Sequence, residues 1–171
     1  MKKFLLTLLA ALLCGTAAGS TGPAPVLRLH VVANSDSEAD QNVKYAVRDA
    51  VTEYVTNNGT LNDYEEAMAY AQAHLQDIER VANRVLQENG MPYGATAELG
   101  VFPFPDRTYG GILFPQGEYH AVRVRLGDSR GQNWWCVLFP PLCFIETVEP
   151  NAAVAQEDEV QYTSFLWELL H

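Results

Sequence analysis

Two cysteines, Cys136 and Cys143, stand seven positions apart in the passage NWWCVLFPPLCFI, residues 133–145. Such a pair could supply a nucleophile, metal ligands, a disulfide, or only small apolar side chains. A nucleophilic thiolate needs a helix N-terminus or a neighbouring histidine to lower its pKa. Cys136 instead sits in an apolar, strand-like run, where burial raises the thiol pKa. His30 and His120 are the candidate bases, yet both lie inside strand-like stretches with no acidic residue placed to orient them. The histidines at 30, 74, 120 and 171 are scattered, and no Cys or His pair shows the close spacing of a zinc site. The expectation is a protein with no catalytic residue, no metal and no cofactor. A disulfide is straightforward physically: a chain reversal around Phe139–Pro141 sets the two cysteines opposite each other, with Cα atoms about 5.5 Å apart. So short a loop stabilises by about 2 kcal/mol. Two reduced, buried cysteines are the alternative.

Other candidates are weaker. Asp36, Glu38 and Asp40 cluster where a helix should start, and the helix dipole favours negative charge there. NSDSEADQN has the alternating acids of a calcium loop but lacks its glycine, which leaves a weak calcium site as the lesser reading. Trp134 and Trp135 are more telling. On a strand they point to opposite faces. One fills the core beneath the helices. The other either anchors a partner, as exposed Trp beside Phe and Pro does, or is covered by the C-terminal segment with Phe165 and Trp167. Both readings stay open.

The elements that must position these residues follow from periodicity. VLRLHVVA, residues 26–33, reads as a strand. Ser35 and Glu38 have capping-box spacing, so a helix should start there. Its stripe is Val43, Ala46, Val47, Ala50, Val51, Tyr54 and Val55, ended by Asn57, Asn58 and Gly59. A second helix runs from about Asn62, with Glu65 in the capping position, to about Asn89, where Gly90 and Pro92 stop it. Strands follow in ATAELGVF and EYHAVRVRLGD, and residues 133–145 read as a hairpin-like strand pair. The order β-α-α-β-β-β predicts an α+β domain: two amphipathic helices on one face of a mostly antiparallel sheet, with a short C-terminal element. Its bounds are residues 26–146; residues 147–171 read as an acidic linker and a short final segment.

The chain begins MKKFLLTLLAALLCGTAAGS: two lysines, a short apolar run, then small residues, the order of a secretory signal peptide over residues 1–20. An uncleaved N-terminal anchor is the alternative. Losing Lys2 and Lys3 from 11 basic residues leaves 9 against 21 acidic ones, a net charge near −12. Nucleic acid and anionic headgroups are bound through Lys and Arg, so neither is an expected partner. Two cysteines then remain in a compartment that permits disulfides.

Three passages, RLHVVANSDSEADQNVKYAVRDAV (28–51), FPFPDRTYGGILFPQGEYHAVRV (102–124) and GQNWWCVLFPPLCF (131–144), resemble the stage II sporulation protein R family. The last is the most specific; the resemblance fades from Val148 onward. It implies a secreted signalling protein of endospore formation, exported from the forespore into the space between forespore and mother cell. There it would activate a membrane-embedded aspartic protease, stage II sporulation protein GA, which processes the sigma-E precursor. Candidate partner-binding residues are Trp134, Trp135, Phe139, Phe102 and Phe104, and, from the LHVVANSD stretch, His30, Asn34, Ser35 and Asp36. The last four form either a contact loop or the capped start of the first helix. The oligomeric state is not readable. A cell-wall or glycan-binding module, stacking sugar on an exposed Trp, is the rival function.

Overall fold

The computed structural model describes residues 25–143 except Thr60. In chain order it holds β1 (Leu27–Val32), α1 (Glu38–Asn58), α2 (Tyr64–Ala73), α3 (Leu75–Glu88), β2 (Ala95–Phe104), β3 (Arg107–Tyr109), β4 (Ile112–Phe114), β5 (Gly117–Leu126) and β6 (Asn133–Phe139). The main sheet has the order β2-β5-β1-β6, and β3 and β4 form a separate hairpin. β5 pairs with β1 in parallel; the β2–β5 and β1–β6 pairings are antiparallel. The fold is α+β with a mostly antiparallel sheet, as the sequence predicts.

Strand alternation divides the sheet into two unlike faces. Leu27, Leu29 and Val31 of β1, Val122, Val124 and Leu126 of β5, and Cys136 of β6 join the helix stripes Val43, Val47, Val51, Val55, Ile78, Ala82 and Leu86 in one apolar core. The opposite face of β1 carries Arg28 and His30, both buried. Arg28 lies 4.3, 4.8, 5.7 and 5.8 Å from the ring centres of Phe104, Tyr119, Phe114 and Tyr109. Its Nη2 donates to Tyr109 Oη (3.2 Å) and its Nε to the Cys136 carbonyl (3.4 Å). The β3–β4 hairpin therefore closes one end of this face around a buried guanidinium.

Three expectations need correction. The stretch read as a second helix is two, divided at His74, which caps both and whose ring stacks on Tyr70 at 4.2 Å. No glycine or proline marks the break, so periodicity runs straight through it. The cap of α1 is Ser37, which accepts from the Asp40 N–H (3.2 Å), and that of α2 is Asp63, which accepts from the Glu66 N–H (2.8 Å). Residues after Phe139 form a turn with a cis Phe139–Pro140 bond rather than a second paired strand. The turn still brings Cys136 and Cys143 together in a disulfide, with Cα atoms 5.1 Å apart. The signal-like residues 1–20, the linker and the final segment with Phe165 and Trp167 lie outside the described residues.

The loop Asn34–Ser37 is a latch at the other end of β1. The buried carboxylate of Asp40 accepts from Asn34 Nδ2 (2.9 Å), Ser35 Oγ (2.5 Å) and the Tyr93 hydroxyl. Asn34 Oδ1 accepts the Asp128 N–H (2.9 Å), and Asp36 Oδ1 the Gln132 N–H (2.8 Å), which ties the β1–α1 turn to the β5–β6 turn. Gly131 presses against this latch: a Cβ there would stand 2.2 Å from the Ser35 carbonyl oxygen. Gly131→Ala must therefore move backbone against backbone. The expected loss is about 2 kcal/mol or more of unfolding free energy, read as a lowered urea midpoint with an unchanged m-value.

Candidate functional site

Three regions hold the residues predicted to contact a partner, and the structure separates them. The first is the latch. Asn34, Ser35 and Asp36 spend their side chains on Asp40, Asp128 and Gln132, within the turn that leads into α1. Burial pushes the Asp40 carboxyl up, but hydrogen bonds from Ser35, Tyr93, Asn34 and the Ser37 cap outweigh it and hold the pKa at about 2.

Phe139 belongs to the second region. It is 9 % exposed and lines a shallow apolar groove with Leu61, Leu138 and Pro141 near the C-terminus of α1. Trp134 stays on the helix side of the sheet. Its ring meets Tyr45 edge to face at 5.4 Å and carries the Arg48 guanidinium at 4.5 Å. Like Trp135 it is half-buried, so neither tryptophan is wholly core or wholly exposed.

The third region is the sheet face opposite the helices, beyond the reach of the β3–β4 hairpin. Here His30, Trp135, Phe102 and Phe104 come together, and the structure adds Arg123, Arg125 and Glu98, which sequence reasoning missed. Trp135 is opposite His30 on the neighbouring strand, and the two rings stack at 3.7 Å. Phe104 meets Trp135 edge to face at 4.6 Å and is itself buried beneath Arg28. The Arg123 guanidinium lies 4.0 Å over Phe102 and donates from Nε to Glu98 (2.9 Å); Arg125 approaches the same carboxylate at 3.4 Å. The signal for Arg123 and Arg125 was present in the strict alternation of EYHAVRVRL, which puts both on the face away from the helices. Half-exposed Phe102, Trp135 and Arg123, with exposed Arg125, make a surface of aromatic rings edged by two guanidinium groups and one carboxylate. It can bind planar or anionic groups, and among the described residues no nucleophile with its base is assembled on it.

His30 anchors this surface. Its Nε2–H donates to Asn133 Oδ1 (2.7 Å), and its buried Nδ1 has no partner among the described residues. Burial is the main cause that lowers its pKa to about 4; nearby Arg123 adds to this, while Asn133 and Glu98 oppose it. The native state thus keeps His30 neutral where the unfolded chain would protonate it. Stability from this residue is fully present above the unfolded pKa near 6.5 and is lost as pH falls toward 4. Urea unfolding at pH 7 and 4.5 should show a loss that His30→Asn reduces by about 2–3 kcal/mol. An equal loss in both proteins would assign the pH dependence elsewhere.

The family model described as stage II sporulation protein R matches residues 23–149. "Stage II sporulation protein R" of Bacillus subtilis (strain 168) is 37% identical over 138 residues, covering 80% of this chain and 62% of that protein. The chain thus spans under two thirds of the length of the relative it matches. No solved structure matches.

Proposed function

The chain belongs to the stage II sporulation protein R family, and from that membership we propose that it is a signal rather than a catalyst. In this reading it is exported into the space between forespore and mother cell, where it activates a membrane-embedded aspartic protease of the stage II sporulation protein GA type. The protease then processes the sigma-E precursor. The single observation that supports a contact role is the sheet face that no described residue covers, where Phe102, Trp135, Arg123 and Arg125 offer aromatic and cationic groups on an otherwise acidic protein. A ligand can shift its receptor only by binding the active state better than the inactive one. An aspartic site needs two carboxylates brought close, so a ligand that favours their assembly suffices.

The glycan-binding alternative asks for a tryptophan with a free ring face. The Trp135 ring has one face on His30 at 3.7 Å and the Phe104 edge at 4.6 Å. That packing favours a protein contact over a sugar platform.

The test is reconstitution in a non-sporulating bacterium that co-expresses the protease and the sigma-E precursor, with or without this chain carrying its N-terminal segment. Precursor cleavage should depend on the chain and on its export. Phe102→Ala and Arg123→Glu should each lower the activating potency about tenfold or more, the scale of an interface hot spot, while the exported variants keep the Cys136–Cys143 disulfide. Cleavage that proceeds equally without the chain would reject the activator role. Full activity in both variants would move the contact off this face.

A further inference from the structure

Every sheet of finite width has two edges, and this one closes them unevenly. On β6 the outward carbonyls of Trp135 and Val137 are taken by the Tyr109 hydroxyl (2.8 Å) and the Leu142 N–H (3.1 Å). On β2 the even-numbered residues face β5, as the Gly127 N–H to Gly94 carbonyl bond (2.9 Å) at the start of the ladder requires. The odd-numbered backbone groups therefore point outward. Two side chains of α3 close the first of them: Asn83 bonds both the N–H (2.9 Å) and the carbonyl (3.0 Å) of Ala95, and Glu79 accepts from the Ala97 N–H (3.0 Å). Beyond that point the helix gives no cover. Leu99 and Val101 present their N–H and carbonyl groups outward, Pro103 has no N–H to present, and Val101 is 51% exposed. An edge left without cover among the described residues is a template for strand pairing.

We propose that this edge joins a second copy of the same chain, β2 to antiparallel β2, about a two-fold axis through Gly100. The hydrogen-bonding pattern is self-complementary in that register. Leu99 of one copy exchanges two bonds with Val101 of the other, and the symmetric pair does the same. Ala97, with its N–H already held by Glu79, falls opposite Pro103, which has no N–H, so this pair exchanges no backbone bond and the ladder ends there. Gly100 meets Gly100 at the closest approach of the two strands, about 4.5 Å between Cα atoms for a pair of this type, where larger side chains would compete for space. On the open face Glu98 of one copy comes opposite Phe102 of the other, beneath the Arg123 that lies over that ring. The result is an eight-stranded sheet with all helices on one side and two copies of the aromatic, cationic face on the other. A foreign strand could use the same groups, but it would have no reason to match both the Glu79-held donor and the proline. The dimer stands or falls independently of the protease reading.

Each chain carries a formal charge of −10, so repulsion between copies weakens association at low salt. The test is sedimentation of the full chain, recovered after export, in 0.15 M NaCl at about 1 to 100 μM, a range chosen because a handful of backbone bonds gives a modest dimer. The expected result is a monomer–dimer equilibrium whose dissociation constant rises at least about tenfold in Val101→Pro. That variant removes one outward N–H without touching the β5 ladder. Oxidative cross-linking fixes the register: Gly100→Cys should form a chain-to-chain disulfide, because the Phe102 ring tip near the new Cβ (3.0 Å) can swing aside. Val101→Cys should not, because its own copy lies diagonally across the axis. A monomer throughout that range overturns the proposal. So does a dimer that Val101→Pro leaves intact, or cross-linking at 101 in place of 100.

Discussion

The burial of one guanidinium organises the non-helical half of this protein. Arg28 occupies the second position of the central strand, fully excluded from solvent, with no carboxylate beside it among its hydrogen-bond partners. A charge so placed is costly unless polar contacts replace the lost water. Four aromatic rings and two oxygen acceptors offset part of that cost here, while Nη1 has no partner among the described residues, and each ring contributes on the order of 1 kcal/mol when desolvated. The passage FPFPDRTYGGILFPQGEY supplies all four rings, Phe104, Tyr109, Phe114 and Tyr119. Its turns exist to fold a small hairpin back over the arginine. Tyr109 also passes the contact on, accepting from Arg28 and donating to the Trp135 carbonyl, so closure of the β6 edge depends on the same residue.

The Asp40 latch does the corresponding work at the other end of β1. Between the two, His30 is held by Asn133 and Trp135, and the outer sheet face has little freedom to rearrange. A surface fixed in this way loses little conformational entropy on binding, which is the usual cost for exposed aromatic and arginine side chains. Asn34, Ser35 and Asp36, read from sequence as possible contacts, spend their side chains within the chain and help to fix the strand that carries the outer face.

Much of this architecture was legible in the chain because it obeys a period. Alternation located β1, β2 and β5, set Trp134 and Trp135 on opposite faces, and put the helix stripes in the core. What escaped was everything decided by distant partners. Ser35 has the right spacing for a cap, yet its hydroxyl donates to Asp40, whose carboxylate is itself fixed by Tyr93, 53 residues further on, and the cap falls to Ser37. His74 interrupts a helix with no local breaker. Phe104 was a candidate for partner contact, and it is instead buried beneath the Arg28 guanidinium. No local pattern announces that β5 inserts between β1 and β2, which is what makes the one parallel pairing.

Electrostatics sharpen the case for the outer face as the place where a partner is oriented. The chain as a whole is strongly acidic, with 21 acidic against 11 basic residues, so at long range it repels other acidic surfaces. At short range the outer face reverses that sign, with Arg123 and Arg125 sharing the single carboxylate of Glu98. Within about one Debye length, near 8 Å at physiological salt, only the local charges matter. An anionic segment would meet locally favourable charge where Phe102 and Trp135 stand beside the two guanidinium groups. Rings give contact area and charges give orientation, a division in which polar groups set the register more than the affinity. The two latched ends of β1 hold this face rigid, so its rings and charges keep fixed positions relative to one another.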